Sequence, residues 1–212
     1  MAHPPRIRLT RIGVDLDNTL INYTEAYARL APRFGVSNPR ATRNDVRAAL
    51  RLNDDDDEDW QRFQSLLYTE GLKFATPAEG VIDFLSACSS MGVAVHIVSH
   101  KTSHSPERFG SLDLRTPALD WIRRHSAVLA PLSAENVTFA STIEGKVSTI
   151  SSLNLDAFVD DLPKVLNQPT WPANTLGILY VPGPWKQDGV RWCAGFTRLA
   201  EWVLLQGNGF HE

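Results

Sequence analysis

Asp15 and Asp17 stand one residue apart in GVDLDNTL (13–20), at the end of an apolar run over 9–14. On a continuing strand both carboxylates would face one way, and where the strand ends the chain turns and can present both to one ligand. A phosphoryl group taken up by Asp15 would form an aspartyl-phosphate that water later cleaves, so that one hard displacement becomes two easier ones. The leaving alkoxide needs a proton and the water of the second step must lose one, which is work for Asp17. Asp, Asn and Thr also favour turns, so this cluster by itself reads as a cap or bend as well.

Three further places carry matching chemistry. Ser99 closes the apolar run in HIVSHKT (96–102), where its hydroxyl and the next backbone N–H would offer fixed donors to a phosphoryl oxygen. A serine closing a strand is also a common turn residue. His100 and Lys101 follow it and are candidates for binding the phosphate or the rest of a substrate. Lys146, in STIEGKVSTI, lies at the start of an apolar-periodic helix and would supply a point charge for phosphate. Lys101 and Lys164 are rivals for that place, and the order of the motifs favours Lys146. FVDDL (158–162) sets Asp160 and Asp161 at the end of another apolar run.

Four carboxylates beside a phosphate dianion would repel one another in a partly desolvated site. A divalent cation resolves this, and a few oxygen ligands shared with a substrate phosphate suit Mg²⁺ better than zinc, which prefers imidazole and thiolate. The cation would orient the phosphate and leave Asp15 free to attack in line.

The elements that must hold these residues are legible from hydrophobic pattern. Short apolar runs at 9–14, 93–99, 137–140, 157–160 and 176–181 alternate with amphipathic stretches. That is the pattern of an α/β fold, a Rossmann-like parallel sheet with helices on both faces. Asp15, Asp17, Ser99, His100, Asp160 and Asp161 sit at the carboxyl ends of such runs, where ligands bind in these sheets. Residues 22–75 break the rhythm with no convincing strand, which predicts an inserted helical subdomain. Helices are expected over 25–34, 45–52 and 58–72, the last placing Trp60, Phe63, Leu67 and Leu72 near one face, and a further helix is expected from near Pro77. The acidic run 54–59 lacks the interleaved ligands and glycine turn of a calcium loop and reads as a solvated helix start.

With 212 residues and 43% apolar content the chain can bury a core, and its formal charge of −3 gives no general attraction to a nucleic acid polymer or anionic membrane. Cys88 and Cys193 lie far apart, which fits a reducing compartment. No stretch approaches the roughly 20 apolar residues of a membrane span, and the N-terminus lacks a signal-peptide core. A cytoplasmic protein acting on a small phosphorylated metabolite is the expectation, with its oligomeric state open.

In order, DLDNTL, IVSHKT, EGK and FVDDL resemble the four motifs of the haloacid dehalogenase superfamily, over about residues 12–162. The resemblance implies a core formed by 1–21 and 76–212, with 22–75 a helical cap inserted after the first motif. It also implies a phosphatase with Asp15 as nucleophile, Asp17 as general acid and base, Ser99 as the phosphate-binding hydroxyl and Lys146 as the stabilising lysine. Asp160 would bind the metal, Asp161 would be a second ligand or its partner, and Asp15 with the backbone carbonyl of Asp17 would complete the shell. Asp17 argues against the carbon–halogen chemistry of other members, which need no leaving-group acid there.

The loop 100–116 carries His100, Lys101, His104, Arg108 and Arg115, which would recognise a substrate or simply be solvated. Trp185 and Trp192 are expected in the core, with the pocket or a subunit contact as alternatives, ahead of a C-terminal helix packed on the sheet. Sugar phosphates and nucleotides both remain open as substrates, as do a phosphomutase acting through the same intermediate and a silent binding module of the same fold.

Overall fold

A computed structural model describes residues 9–38, 40–51, 57–130, 132–182 and 191–205. The first apolar run forms β1 (Arg11–Val14), followed by β2 (Ile21–Asn22), α1 (Thr24–Leu30), α2 (Arg43–Arg51) and α3 (Glu58–Leu67). The chain continues through β3 (Thr76–Pro77), α4 (Val81–Ser90), β4 (Ala94–His100), α5 (Arg115–Arg124), α6 (Ser126–Leu129) and β5 (Val137–Ala140). It ends with α7 (Ile143–Ser152), β6 (Ala157–Asp160), α8 (Pro163–Leu166), β7 (Leu176–Tyr180), β8 (Trp192–Cys193) and α9 (Phe196–Leu204).

Six strands form one parallel sheet in the order β5-β4-β1-β6-β7-β8. Chain order reverses at β1, with β4 on one side and β6 on the other. The ends of β4, β1 and β6 are therefore neighbours, at the kind of reversal where open α/β sheets bind ligands. Asp156 fixes the register from the opposite end, its carboxylate accepting from the backbone N–H groups of Thr10 (2.6 Å) and Arg11 (2.8 Å).

Side chains alternate across each strand. Ile12, Val14, Ile97 and Val159 join the larger core with Phe84 and Leu85 of α4 and Leu199 and Trp202 of α9. Val98 and Phe158 point the other way, against Ile150 of α7 and Leu155. Helices thus cover both faces, and the central strands can be apolar throughout.

Gly13 belongs to the second face, and a Cβ there would lie 2.4 Å from both Leu155 Cδ1 and Phe158 Cδ2. Phe158 occupies the space that any larger residue would need. Gly13→Ala is expected to cost about 1–3 kcal/mol in urea denaturation through overpacking; a cost below a few tenths would mean that Phe158 shifts freely.

The inserted helices pack around their own aromatic cluster. Phe63 stacks on Tyr27 (5.8 Å between centroids) and on Trp60 (5.8 Å), and meets Phe34 edge-on at 5.3 Å. At the root of the insert, β2 and β3 pair antiparallel, Ile21 opposite Pro77 and Asn22 opposite Thr76. Trp121 of α5 donates its indole N–H to the Ala75 carbonyl at 3.0 Å.

Two local expectations change, and one element is unforeseen. The helix expected over 58–72 ends at Leu67, and a separate 3-10 turn over Glu70–Lys73 buries Leu72. The segment at Pro77 is a strand, and α4 begins only after Gly80, whose φ of 76° gives the left-handed entry that glycine adopts without strain. The short β8 at the sheet edge has no pattern long enough to read. The C-terminal helix does pack as expected, with Phe196 5.3 Å from the rings of both Phe84 and Tyr180. Trp185 and residues 54–56 of the acidic run lie outside the described residues. Among the described residues no helix is long and apolar enough to cross a membrane.

Candidate active site

Asp15 and Asp160 reach one another because of strand alternation. Asp15 follows Gly13 by two positions and Asp160 follows Phe158 by two, so both carboxylates extend the face on which α7 lies. The backbone N–H of Asp15 still donates to the Val159 carbonyl at 2.8 Å, holding the end of β1 against β6. On α7, the Thr142 hydroxyl accepts from the Gly145 N–H at 3.0 Å and caps the helix, which sets Lys146 in its first turn. Lys146 crosses over the Phe158 ring, and its Nζ donates to Asp15 Oδ1 at 2.5 Å and Asp160 Oδ2 at 2.6 Å. The other oxygen of Asp160 accepts from the Leu162 N–H at 2.9 Å.

Asp161 has no hydrogen bond or ion pair among the described residues, although carboxylate oxygens of Asp15, Asp160 and Asp161 all lie within 4.8 Å of one another. Three carboxylates thus share one ammonium, a formal excess of two negative charges. Burial pushes the Asp15 carboxyl up to about 7, against the pull of Lys146 and with the charges of Asp160 and Asp17 adding to the rise. Burial, then Asp160 and Asp15, hold Asp161 well above the carboxylate range, opposed by Arg43 and Lys146. Burial alone would lower Lys146, but the two aspartates outweigh it and raise the lysine above its ordinary value. A divalent cation matches both the excess charge and the all-oxygen donor set.

The pH dependence follows from Asp15. Its carboxyl titrates near 3.8 when unperturbed and near 7 in the fold, so between these values the unfolded chain releases a proton that the folded protein keeps. Metal-free protein should therefore lose stability as pH rises from about 4 to about 7, on the order of 4 kcal/mol in total. Urea denaturation in chelator at the two ends of that window measures it, and stability that rose instead would mean that Asp15 is already ionised near pH 4.

Asp17 has separate partners. The chain turns sharply after it through Asn18 (φ 62°), a left-handed conformation that Asn tolerates, and the Ile21 N–H donates back to the Leu16 carbonyl at 2.8 Å. Lys101 Nζ contacts both Asp17 oxygens (2.9 and 3.1 Å), and the Tyr23 hydroxyl donates to Oδ1 at 2.7 Å. Lys101 is itself held, its Nζ 3.8 Å from the Tyr68 ring centroid and its carbonyl accepting from Arg115 Nε (3.0 Å) and Nη2 (2.9 Å). Asp17, Lys101 and Tyr68 line a cavity of about 330 Å³ between the strand ends and the insert, of a size for a small metabolite.

The overall fold recurs in solved structures. A HAD family hydrolase from Deinococcus radiodurans, which holds bound phosphate and sodium, is 16% identical, with 95% of this chain and 97% of that one covered at a TM-score of 0.56. The chain has the haloacid dehalogenase-like fold. A predicted phosphatase from Clostridium acetobutylicum (14% identity, 93% and 99% covered, TM-score 0.59) and a HAD hydrolase from Entamoeba histolytica (12%, 95% and 100%, 0.57) align comparably. No protein-family model and no curated protein matches the sequence.

Within this haloacid dehalogenase-like frame, Asp15, Asp160, Asp161 and Lys146 lie together, and Asp17 lies beside them with Lys101. Of the three lysines weighed for a place at Asp15, Lys146 is bonded to it, Lys101 to Asp17, and Lys164 lines the cavity. His100 also lines the cavity, with Nε2 3.2 Å from the Ser141 carbonyl. Ser99 does not; it is buried, and its hydroxyl has no hydrogen-bond partner among the described residues. Arg115 is not available to a substrate, because its guanidinium holds the Lys101 carbonyl and the Ser141 hydroxyl. Arg108 reaches the insert, donating to Gln61 Oε1 at 2.8 Å.

Sequence reasoning missed Tyr23, Tyr68, Arg43 and Arg47. Nothing local set the tyrosines apart. The arginines could have been noticed as a basic pair four apart at the start of the helix expected over 45–52.

Proposed function

We propose that the protein is a Mg²⁺-dependent phosphomonoester hydrolase that acts on a small phosphorylated metabolite through an aspartyl-phosphate on Asp15. The observation that carries this reading is Lys146 bridging Asp15 and Asp160 while Asp161 stands unpaired beside them. Such a set is over-charged as a structural ion pair and well composed as a phosphoryl-transfer site.

Asp15 Oδ2, the oxygen not held by Lys146, attacks phosphorus as the ester P–O bond breaks. Asp17 gives its proton to the leaving alkoxide. Water then attacks the phosphorus of the acyl phosphate, Asp17 takes the proton released, and inorganic phosphate leaves with Asp15 regenerated. Tyr23 and Lys101 orient Asp17 for both transfers. Mg²⁺, when bound, would neutralise charge on the phosphoryl oxygens. Asp15, Asp161 and the backbone carbonyl of Asp17 would hold it. Asp160, with both oxygens already accepting from Lys146 and Leu162, would bind it or orient its neighbours.

The cavity suits a small molecule rather than a polymer, and the two buried free cysteines fit a reducing, cytoplasmic setting. The test is release of inorganic phosphate from sugar phosphates and nucleotides with Mg²⁺ or with excess chelator. Release that needs the metal supports the reading. Release only when an organic acceptor is supplied would make the protein a phosphotransferase or mutase, and none with any compound would overturn catalysis.

Metal binding has a readout apart from turnover. Mg²⁺ at about 100 times its Kd should stabilise the protein by about 2.7 kcal/mol. Asp161→Asn should abolish that increment while raising the melting temperature of metal-free protein, since it removes an unpaired, poorly solvated carboxylate. A variant that kept the full Mg²⁺ increment would remove Asp161 from the metal site.

A further inference from the structure

Building on the hydrolase reading above, we propose that Arg43 and Arg47 form an anion subsite on the insert's side of the cavity. The preferred substrate would then be a phosphomonoester carrying a second anionic group, a carboxylate or another phosphate.

The geometry begins with the local sequence. The Thr42 hydroxyl and N–H both donate to Asp45 Oδ2 (2.8 and 2.9 Å), which starts α2 and puts Arg43 in its first turn. Arg47 is one turn further on, so the two guanidiniums sit side by side while Val46 and Leu50 are buried in the insert. Both line the cavity, and both guanidinium carbons lie 5.8 Å from the ring centroid of Trp60, itself buried. Trp60 is stacked on Phe63, so the platform beneath the arginines is rigid.

Among the described residues no side chain hydrogen-bonds to this pair, although the charge of Asp161 acts on Arg43 and Asp57 lies 3.8 Å from Arg47. Arg43 has no hydrogen bond or ion pair among the described residues, and the Nε atoms of Arg43 and Arg47 are buried without partners. The nearest carboxylate, Asp57, gives both oxygens to Arg51, and Arg47 Nη2 stays 3.8 Å away. Among these four described residues three arginines face one aspartate. Burial and then the charge of Arg51 depress Arg47, against the pull of Asp57 and with Arg43 adding to the fall. Like charges one turn apart destabilise a helix, and two forks with unused donors match a carboxylate or phosphate bidentately. The phosphoryl group to be transferred has its own cations in Lys146 and Lys101 at the strand ends, so the arginines are left for another group of the same molecule.

Matched pairs of compounds test this. Glycerol 3-phosphate and 3-phosphoglycerate differ in a carboxylate, and glucose 6-phosphate and glucose 1,6-bisphosphate differ in a second phosphate. In at least one pair kcat/KM should favour the doubly anionic member by roughly 10- to 100-fold. Arg43→Gln with Arg47→Gln should erase that ratio, whatever happens to absolute rates, and Arg43→Lys with Arg47→Lys should retain part of it. The same preference should appear in calorimetric binding to Asp15→Asn protein with Mg²⁺, an arm that needs no turnover. Equal losses for both members of a pair would assign the arginines to the transferred phosphate or to structure and overturn the subsite. So would the absence of any preference in both pairs. Absent turnover together with a retained, arginine-dependent binding preference would sink the hydrolase reading and leave the anion subsite standing.

Discussion

Asp15→Asn is expected to lower phosphate release by roughly four to six orders of magnitude, the loss seen when a covalent nucleophile is removed. The amide keeps the shape of the side chain and one acceptor for Lys146, but it cannot attack phosphorus. Stability should move the other way. Asp15 belongs to a cluster of three carboxylates served by one lysine, so removing its charge relieves repulsion and the metal-free variant should melt no lower than wild type. That opposition separates a nucleophile from a structural residue, whose loss would lower activity and stability together. Asp15→Glu is the companion, because it keeps the charge but displaces the reacting oxygen by about an ångström, enough to cost roughly 100-fold. Phosphate release that persisted in Asp15→Asn would remove Asp15 as the nucleophile.

Lys146→Met should produce the largest loss of stability. Lys146 is 1% exposed, and its ammonium is bonded to two carboxylates that are themselves buried. Methionine fills much the same volume but leaves Asp15 and Asp160 without their cation, and breaking a buried pair from one side typically costs about 3–5 kcal/mol. The penalty belongs to the ionised carboxylates. It should therefore be larger at pH 7 than at pH 4, where the Asp15 carboxyl is protonated. Mg²⁺ should recover part of the loss at pH 7, because a cation beside Asp15 does some of what the ammonium did. Urea denaturation at both pH values, with chelator and with Mg²⁺, gives the comparison. A loss under about 1 kcal/mol at pH 7 would mean that the aspartates are already neutral there and that Lys146 does not hold them charged.

Both predictions depend on a short chain of contacts that begins away from the chemistry. The missing side chain of Gly13 admits Phe158, Phe158 lies under Lys146, and Lys146 joins Asp15 to Asp160. A Cβ at Gly13 would push first on Phe158, and its effect on activity should travel by that route. Arg115 has a similar standing towards Asp17. It touches no cavity-facing carboxylate but fixes the Lys101 backbone from which the Asp17 partner extends.

The sequence by itself determined the α/β class, five of the six strands of the main sheet and the positions of the acidic residues. Each of these is local information: a strand shows as a run of apolar residues, and Asp15, Asp17, Asp160 and Asp161 are legible because they interrupt such runs where a strand must end. Helix ends in the insert were less legible, since the apolar positions continue past Leu67 while the backbone turns at Tyr68. The tertiary structure alone decided which strand ends are neighbours. The order β5-β4-β1-β6-β7-β8 brings Lys101 to Asp17 across 84 positions and Lys146 to Asp15 across 131. It also decided that Tyr23 bonds Asp17, that Arg115 turns to the backbone, and that Arg43 and Arg47 face the cavity with their Nε atoms unpaired. The physical reason is range. Periodicity records which face of an element is buried, whereas the partner of a charged side chain depends on how separate elements pack, and no local pattern encodes that.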